Sequence, residues 1–468
     1  MAERKIIYLC LAHMSEEGLE QKYVREAFDT NWVVPLGPNV NAFEEELREF
    51  VVGSTESEGI PKSCRSEAWE KAWHMNETLR DKQVVALSAG TAAVHLALLA
   101  CGVGPGDEVC VQSFTFCASS HPITYLGARP VFIGSEKDSW NMDPELLEQA
   151  ILDRMAKTGK YPKVIVPVAL YGMPYNCDRI MGIAKKYDIP VVEDAAEGFG
   201  SRWKGQMLGT FGKFGVLSFN GNKMITTSGG GALICDDTES KNNIMWYATQ
   251  ARDAYPYYQH TAIGYNYRMS NICAGIGRGQ MAIANVHIAH HQHIQKMYEE
   301  QLKEVTGVTV HCAPSPDYDS NYWLCVVTLD PNLKIKGQED VYKEIINTTV
   351  GGAAGVIHMV DSPKTDCQPN ENVEALRLFM LSKKIETRPV WKPMHMQPIY
   401  RMNPFITREG DGRAKTDVYI AGGTVGKDGM PLDVGMDIFQ RGLCLPSDNK
   451  MTVEQQNKVI EVVKGCFE

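Results

Sequence analysis

The chain has 468 residues, 44% of them hydrophobic and 22% charged, and its 47 Lys and Arg against 57 Asp and Glu give a formal net charge of −10. This composition is typical of a folded globular protein, and the length predicts about two or three domains with cores of their own, which excludes a disordered or fibrous chain. An acidic chain lacks the basic face that binds a nucleic-acid backbone, so we expect no nucleic-acid partner.

The sequence also lacks the features of a membrane or secreted protein. No stretch approaches the run of about 20 apolar residues that a membrane-spanning helix needs. The apolar run at 6–12 is followed directly by polar residues, without a cleavage site. The 13 cysteines are scattered without a C-x-x-C pair, so we expect neither a metal site nor a disulfide framework. We therefore expect a cytoplasmic protein with no membrane contact.

Residues 1–50 are predicted to form an N-terminal segment with helices at 22–28 and 42–50, joined by a loop rich in Gly, Pro and Asn. Residues 51–82 are polar and resemble an insertion ahead of the main domain.

Residues 83–290 are predicted to form a large α/β domain. Short apolar runs alternate with amphipathic stretches, and each run is apolar enough to be a strand buried on both faces. This alternation favours a mostly parallel sheet, which binds ligands at the carboxyl ends of its strands. The predicted strands are 84–87, 109–111, 131–133, 164–168, 191–192, 216–219 and 232–234, and predicted helices include 92–100, 144–157 and 178–186.

A different pattern follows a long helical stretch at 270–303. Short strands, such as 322–329, are mixed with helices at 340–346 and 373–382. We therefore predict a smaller α+β domain over 291–468, with surface loops at 351–355 and 409–429.

Three parts of the α/β domain contain residues suited to chemistry. The first is Gly90-Thr91, which follows a predicted strand and opens a predicted helix. Free backbone N–H groups, a hydroxyl and the positive end of the helix dipole would together bind a phosphate there. Alone, the pattern more often marks a helix capped by Thr.

The second is the acidic pair Glu193 and Asp194, at the end of a predicted buried strand. A buried carboxylate favours a cationic partner, such as a protonated ring nitrogen. An acid that caps a loop would leave the same pattern.

The third is Lys223, a lone charge within the otherwise uncharged residues 214–231, which end in three glycines. A poorly solvated amine is a candidate nucleophile for a carbonyl group. The order G-x-x-x-x-G-K-[ST] is absent, which disfavours a nucleotide triphosphatase, whereas a solvated surface lysine is the simplest alternative.

Together, the three parts meet the needs of pyridoxal phosphate, whose phosphate must be anchored, whose ring nitrogen must stay protonated and whose aldehyde must be held by an amine. At this point the sequence resembles the DegT-type sugar aminotransferases, a family of fold-type I pyridoxal phosphate enzymes. The stretches that carry the resemblance are 90–93, 104–109, 127–132, 193–196, 218–223 and 264–268. The resemblance implies a mostly parallel seven-stranded sheet with flanking helices, and a smaller α+β C-terminal domain.

The resemblance implies a role for each matching residue. Lys223 would bind the coenzyme aldehyde and move protons, while Asp194 would pair with the pyridine nitrogen. Other implied coenzyme contacts are Glu197 near the ring hydroxyl, Phe116 on the ring face, Gly90, Thr91 and Ser218 at the phosphate, and Asn266 from the neighbouring subunit of a homodimer with shared active sites. Without the resemblance, Phe116 reads as a core aromatic and Asn266 as a turn residue.

A narrower similarity, at 29–32, 218–223, 388–395 and 442–447, is to the branch that makes UDP-4-amino-4,6-dideoxy-N-acetylglucosamine, the bacillosamine-type transaminases. It implies transfer of an amino group from L-glutamate to carbon 4 of a nucleotide-linked 4-keto-6-deoxy sugar, with UDP as the nucleotide, for polysaccharide or glycan biosynthesis. Family members that dehydrate sugars carry His where Lys223 stands, so the lysine indicates transamination. Implied substrate contacts are Asn31, Trp32, Arg268, Arg388, Trp391 and His395, for several of which a buried aromatic, a hydrogen-bonded histidine or a structural ion pair is an equal alternative.

Other functions remain as alternatives. The chain could aminate carbon 3 of a dTDP-linked keto sugar, or act as a regulator that keeps the fold without catalysis. A dinucleotide-dependent oxidoreductase ranks last, because no G-x-G-x-x-G follows the first strand. The chain also departs from the family at Ala169, where His is usual, and in longer segments at 53–82, 331–370 and 405–430.

Overall fold

The structure is a computed structural model, and it describes residues 6–52, 79–338, 368–408, 414–416, 425, 429 and 431–467. Most of the predicted insertion, the predicted helix at 340–346 and the predicted loop at 351–355 lie outside the described residues.

All seven predicted strands of the α/β region form, together with short additional strands. Successive residues of β1 pack into two different apolar clusters, Val84 and Ala86 into one and Val85 and Leu87 into the other. Because neighbouring strand residues point to opposite faces, the sheet is buried on both sides. The strands of this region are β1 (Gln83–Leu87), β2 (Glu108–Gln112), β3 (Arg129–Ile133), β4 (Val164–Val166), β5 (Val192–Asp194), β6 (Arg202–Trp203), β7 (Gln206–Met207), β8 (Phe214–Ser218) and β9 (Gly231–Cys235).

The seven main strands run in the order β1-β9-β8-β5-β4-β2-β3. Two sheets of the hydrogen-bond pattern are joined between β4 and β5 by parallel bridges that pair Ile165 with Val191 and Val168 with Asp194. Only β9 runs antiparallel to its neighbours within this set. The predicted mostly parallel seven-stranded sheet is confirmed.

The C-terminal region extends this sheet, which the sequence did not predict. β14 (Phe405–Arg408) pairs in parallel with β3, and β15 (Ala414–Thr416) pairs antiparallel with β14. The long segment at 405–430 therefore begins with a strand, and the predicted surface loop at 409–429 is wrong at 414–416, where β15 forms. The backbone of β14 covers the edge that β3 would otherwise expose, and Phe405 and Ile406 are fully buried because they pack into the two apolar clusters of the sheet.

Helices flank the sheet and form the N-terminal segment. The predicted long helix at 270–303 is two helices, which end and restart around Ala282 and Ile283. The described helices are α1 (Leu19–Asp29), α2 (Pro38–Val52), α3 (Gly90–Ala100), α4 (His121–Tyr125), α5 (Pro144–Thr158), α6 (Cys177–Tyr187), α7 (Thr238–Ala248), α8 (Asn271–Met281), α9 (Ala284–Leu302), α10 (Glu371–Ser382), α11 (Val434–Arg441) and α12 (Val453–Gly465).

A second, antiparallel sheet forms in the C-terminal region. β10 (Val308–Val310), β12 (Cys325–Leu329), β16 (Gly442–Leu445) and β13 (Arg388–Pro389) follow one another across it, while β11 (Tyr318–Asp319) pairs with β6. Helices α9, α10 and α12 contribute to an apolar cluster with β10, β12 and β16. The domain boundaries at 50, 82 and 290 stay predictions, and α9 runs through residue 290 without a break. None of the helices within the described ranges is long and apolar enough to cross a membrane.

Candidate active site

The two acids at the end of β5 have different surroundings. Glu193 points into the loop that precedes β8, where its carboxylate accepts hydrogen bonds from the backbone N–H groups of Gly209 at 2.9 Å and of Phe211 and Gly212 at 2.6 Å. Asp194 points the other way, as neighbouring strand residues must. Of the two interpretations of this acidic pair, the loop cap therefore applies to Glu193, and Asp194 stays available to a ligand.

Asp194 is held by a short chain of hydroxyl groups. Ser119 donates to its Oδ2 at 2.6 Å, and Thr115 lies 2.8 Å from the hydroxyl of Ser119. The backbone N–H of Ala196 donates to Oδ1 at 3.2 Å. Burial raises the pKa of Asp194, while these hydrogen bonds and the nearby Lys223 oppose the rise. A carboxylate in this position would be stabilised further by a cationic ring nitrogen.

Lys223 lies in the tight turn that follows β8, and its side chain is 13% exposed. The turn is closed by a hydrogen bond from the Lys223 N–H to the carbonyl of Asn220, at 2.9 Å. Nζ lies 3.2 Å from Oε1 of Glu197 and 3.9 Å from the centre of the Trp323 ring. These contacts exclude the alternative of a solvated surface lysine.

Glu197 connects this lysine to the turn at 170–172. Its Oε2 accepts a hydrogen bond from the backbone N–H of Tyr171 at 2.7 Å. Burial, with a smaller contribution from the Asp194 charge, raises the pKa of Glu197 to about 7 against the opposing effect of Lys223. Lys223, Glu197 and Asp194 thus form one electrostatically coupled group.

The start of α3 lies next to the end of β8. The first backbone bond of the helix runs from the N–H of Ala93 to the carbonyl of Ala89, so the preceding N–H groups, those of Gly90 and Thr91 among them, are the free donors of a helix start. A Cβ on Gly90 would lie 3.0 Å from Cβ and 3.2 Å from Oγ of Ser218. Because Gly90 has no side chain, the free backbone donors of the helix start and the hydroxyl of Ser218 lie close together, an arrangement that suits an anion.

The three glycines after Lys223 differ in what surrounds them. A Cβ on Gly231 would lie 2.4 Å from the backbone nitrogen of Gly90, and one on Gly230 would lie 2.1 Å from Oγ1 of Thr227. A Cβ on Gly229 would meet nothing within 4 Å. The close backbone approach in this stretch is therefore between β9 and the first residue of α3.

An aromatic group lies beside the Glu197–Tyr171 contact. Trp391 donates its backbone N–H to the hydroxyl of Tyr171 at 2.9 Å, and its ring lies 5.0 Å from the Tyr171 ring. Phe116 is 51% exposed, and its ring lies 5.4 Å from that of Trp391. The interpretation of Phe116 as a core aromatic is therefore wrong, and an exposed ring face is available there.

Two other predicted substrate contacts lie in different surroundings. His395 is 1% exposed, its Nδ1 lies 2.6 Å from the hydroxyl of Ser113, and its ring stacks on Phe405 at 3.5 Å. The structure places His395 in the interior, and its role as a substrate contact stays a prediction. Arg388 lies on β13 with half of its side chain exposed, and Nη2 lies 2.8 Å from Oε1 of Glu386.

The remaining predicted residues belong to the N-terminal segment and to the loop before α8. Asn31 is exposed in a left-handed conformation with φ 59°, and the adjacent Trp32 is 39% exposed. Asn266 is exposed, as a residue offered to a second subunit would be. Arg268 forms a bridge with Leu87 at the end of β1, and its buried Nε has no hydrogen-bond partner among the described residues.

Sequence reasoning missed several residues of this site. They are Thr115 and Ser119 at Asp194, Tyr171 at Glu197, and Asn321 and Trp323 near Lys223. Tyr171 has φ 54°, an unfavourable conformation for a bulky residue that local sequence does not reveal. The Trp323 indole reaches the backbone carbonyl of Asn222, 101 residues away in sequence, and no local pattern carries such a contact.

Comparison with known proteins gives the family. The model of the DegT/DnrJ/EryC1/StrS aminotransferase family matches residues 65–358. The chain belongs to this family. The aminotransferase is 38% identical over 466 residues to EpsN of Bacillus subtilis (strain 168), a proposed pyridoxal phosphate-dependent aminotransferase, with 99% of this chain and 96% of EpsN covered.

Other relatives are named for nucleotide-linked sugars. A GDP-perosamine synthase of Escherichia coli O157:H7 is 32% identical, with 84% of this chain and 87% of the synthase covered. A UDP-4-amino-4-deoxy-L-arabinose–oxoglutarate aminotransferase of Shewanella sediminis is 32% identical, with 53% of this chain and 65% of that enzyme covered. Family membership makes this chain an aminotransferase, and these names assign nucleotide sugars to its relatives.

The fold has relatives among solved structures. A DegT DnrJ EryC1 StrS aminotransferase from Brucella abortus superposes with a TM-score of 0.72 at 24% identity, with 96% of this chain and 95% of that chain covered. The fold-type I architecture expected from the sequence is therefore confirmed.

Aminotransferases of this family use pyridoxal phosphate, and the residues around Lys223 fit it. When bound, the coenzyme supplies an aldehyde for an amine and an electron-withdrawing ring. Lys223 would hold the aldehyde, Asp194 the ring nitrogen, and the Gly90-Thr91 helix start with Ser218 the phosphate. The buried side chains of Lys223, Asp194 and Glu197, together with the helix start at Gly90, are the groups that this coenzyme needs. Among the residues that the structure describes, no group of three His, Cys, Asp or Glu side chains could hold a metal ion.

Proposed function

We propose that this aminotransferase moves the amino group of L-glutamate to carbon 4 of a UDP-linked 4-keto-6-deoxy sugar, for polysaccharide or glycan biosynthesis. The observation that carries the proposal is the position of the Lys223 amine, 3.2 Å from the Glu197 carboxylate and within the electrostatic reach of Asp194. An amine in this position can take a proton from one carbon and return it to another, which transamination requires.

The names of the relatives support the two substrates. The Shewanella sediminis relative is named for oxoglutarate and for a UDP-linked 4-amino sugar. 2-Oxoglutarate is what glutamate becomes when it gives up its amino group, so glutamate is the donor that this pairing suggests. The perosamine synthase is named for GDP, so UDP and GDP are the two nucleotides that the experiment below must compare.

Each predicted residue has a place in this proposal. Lys223 transfers protons, and Asp194 keeps the ring nitrogen protonated, with Glu197 beside it. The exposed ring of Phe116 covers one face of the coenzyme ring. Its neighbour Trp391 lines the part of the site that binds the sugar. The further proposed substrate contacts are Asn31, Trp32, Arg268, Arg388 and His395.

We also propose a homodimer in which Asn266 completes the phosphate site of its partner. Mixing subunits tests this sharing of sites, since each mixed dimer of Asn266→Ala and Lys223→Ala chains has one site that carries neither change. We expect the mixture to regain activity that both parent variants lack. No recovery, with mixed dimers verified by mass, would contradict the shared site.

The deciding experiment is incubation with glutamate and a matched panel of keto sugars linked to UDP, GDP and dTDP, with the ketone at carbon 3 or carbon 4. We expect 2-oxoglutarate and a 4-amino sugar from the UDP-linked 4-ketone, identified by mass and by NMR. Amination at carbon 3 of a dTDP sugar would establish the alternative instead. Absence of any amine with every sugar, from protein that carries pyridoxal phosphate, would contradict the proposed function.

A further inference from the structure

The ammonium of Lys223 lies against the face of an aromatic ring. Nζ is 3.9 Å from the centre of the Trp323 ring, and the indole is 3% exposed. On its other contact, Nζ lies 3.2 Å from Oε1 of Glu197. A cation is attracted to the negative face of an aromatic ring, most strongly to that of Trp and most strongly where water is excluded.

Trp323 is held by three hydrogen bonds, one to its indole and two to its backbone. Its Nε1–H donates to the carbonyl of Asn222 at 2.7 Å, the backbone N–H of Trp323 donates to Oδ1 of Asn321 at 2.8 Å, and its carbonyl accepts from the hydroxyl of Ser447 at 3.0 Å. Asn222 immediately precedes Lys223. The same ring therefore holds the backbone before the lysine and contacts the end of its side chain.

Asn321 ties the backbone of Trp323 to the backbone of Glu197. Its Nδ2 donates to the backbone carbonyls of Glu197 at 2.8 Å and of Phe199 at 2.9 Å, while its Oδ1 accepts from Trp323. A Cβ on Gly172 would lie 1.8 Å from that Oδ1, so the amide occupies space that only glycine leaves. One buried side chain thus holds the backbones of both residues whose side chains contact Nζ.

We propose that Trp323 is a positioning residue, which with Glu197 forms a seat for the ammonium of Lys223 whenever this amine is free. The inference rests on the proposed role of Lys223 as the lysine that binds the coenzyme. In the glutamate half-reaction, the bond between Lys223 and the coenzyme breaks, the amino group of glutamate passes to the coenzyme, the oxygen of one water enters 2-oxoglutarate, and the lysine amine is released. The seat stabilises this released amine. It therefore favours the bleached form of the holoenzyme, in which the coenzyme carries the amino group.

The test is an equilibrium measurement on the holoenzyme. Visible absorbance is recorded against the ratio of glutamate to 2-oxoglutarate, and the midpoint gives the balance between lysine-bound and aminated coenzyme. We expect Trp323→Leu to need a ratio about 3- to 30-fold higher, the range that the loss of a cation–π contact produces. Trp323→Phe keeps an aromatic face and should move the midpoint less. Equal shifts in both variants, or none, would overturn the proposal.

A matched control separates the seat from a loss of stability. Trp203 is also buried and donates its indole N–H to Asp178 at 3.1 Å. Nζ of Lys204 lies 5.4 Å from the centre of the Trp203 ring. We expect Trp203→Leu to lower the melting temperature and to leave the midpoint unchanged. A midpoint that moves as far in this control as in Trp323→Leu would attribute the effect to general destabilisation and overturn the seat.

Fluorinated tryptophans keep the test decisive if Trp323→Leu does not fold. Mono-, di- and trifluorinated tryptophan placed at position 323 retain the shape and the indole N–H but weaken the negative ring face stepwise. We expect the midpoint to rise with each fluorine while the melting temperature stays constant. A midpoint independent of fluorination would overturn the proposal.

Failure of the seat and failure of the proposed function give different results. If Lys223→Ala holoenzyme still bleaches with glutamate at the normal rate, the role of the lysine is wrong. If Lys223 is essential and the Trp323 midpoints do not move, the seat alone is wrong.

Discussion

The carboxylate of Glu197 lies 3.2 Å from Nζ of Lys223, and the two side chains are 4% and 13% exposed. Burial of the pair makes its charge state matter, because little water is present to screen it. Asp194 belongs to the same electrostatic group, since its charge and that of Lys223 both affect the pKa of Glu197. The charge states of these three side chains are therefore coupled.

Replacing the lysine should remove catalysis and leave the fold. Lys223→Ala should lose about 10²- to 10⁴-fold or more in turnover, because the group that moves the proton is gone. The coenzyme should also become removable by dialysis after borohydride treatment, which fixes it only to an amine. Lys213, an exposed lysine ten residues upstream, is the matched control, and Lys213→Ala should behave as wild type. Stable borohydride fixation in Lys223→Ala would contradict the assignment.

The two acids of β5 should respond in opposite ways. Asp194→Asn keeps its shape and the Ser119 contact but loses its charge, so we expect kcat/KM to fall by about 10²- to 10⁴-fold with little loss of stability. Glu193→Gln should keep its kinetics but lose about 1–3 kcal/mol of unfolding free energy, because a neutral amide replaces the carboxylate at three N–H donors. Urea unfolding and steady-state kinetics check both. A kinetic defect in Glu193→Gln alone would reverse the assignment.

Space at the helix start should decide coenzyme affinity. In Gly231→Ala the new Cβ would lie 2.4 Å from the Gly90 nitrogen, so the start of α3 must shift. We expect a loss of about 1–3 kcal/mol in unfolding free energy and weaker binding of pyridoxal phosphate in a titration followed by absorbance. Gly229→Ala is the matched control, since its Cβ would meet nothing within 4 Å. Equal affinities in the two variants would be inconsistent with this geometry.

Stability should depend on pH through Glu197. Its pKa is raised from an ordinary value of 4.5 to about 7, chiefly by burial, so the folded protein holds a proton that the unfolded chain releases between those values. The unfolding free energy contributed by this group is therefore greatest below pH 4.5 and falls as the pH rises to about 7, by up to about 3 kcal/mol.

Glu197→Gln removes the titration and keeps the shape. Urea unfolding without added pyridoxal phosphate should show that wild type loses more stability than Glu197→Gln between pH 5 and pH 8. Glu45→Gln is a control at a surface acid whose pKa is lowered by Arg48, and it should not flatten the pH dependence in this window. Parallel pH profiles for wild type and Glu197→Gln would contradict the raised pKa.

The main sheet was predictable because its strands are short, apolar and separated by helices, a pattern that local sequence carries in full. The extension by β14 was not, because Phe405 becomes a strand residue only where β3 offers it an open edge. The break in the helical stretch at 270–303 was likewise missed, since neither a proline nor a glycine marks Ala282 and Ile283, where the first helix ends and the second begins.

The sequence by itself determined the kind of chemistry, because a lone Lys223, an acid at a strand end and a Gly90-Thr91 helix start are needed together for one coenzyme. Tertiary structure alone decided which acid faces the site, since Glu193 and Asp194 differ only in the face of the strand they occupy. It also decided the surroundings of the Lys223 amine, which contacts Trp323, a residue 100 positions further along the chain. Contacts of this length depend on how the two sheets pack, and no local pattern of residues encodes that packing.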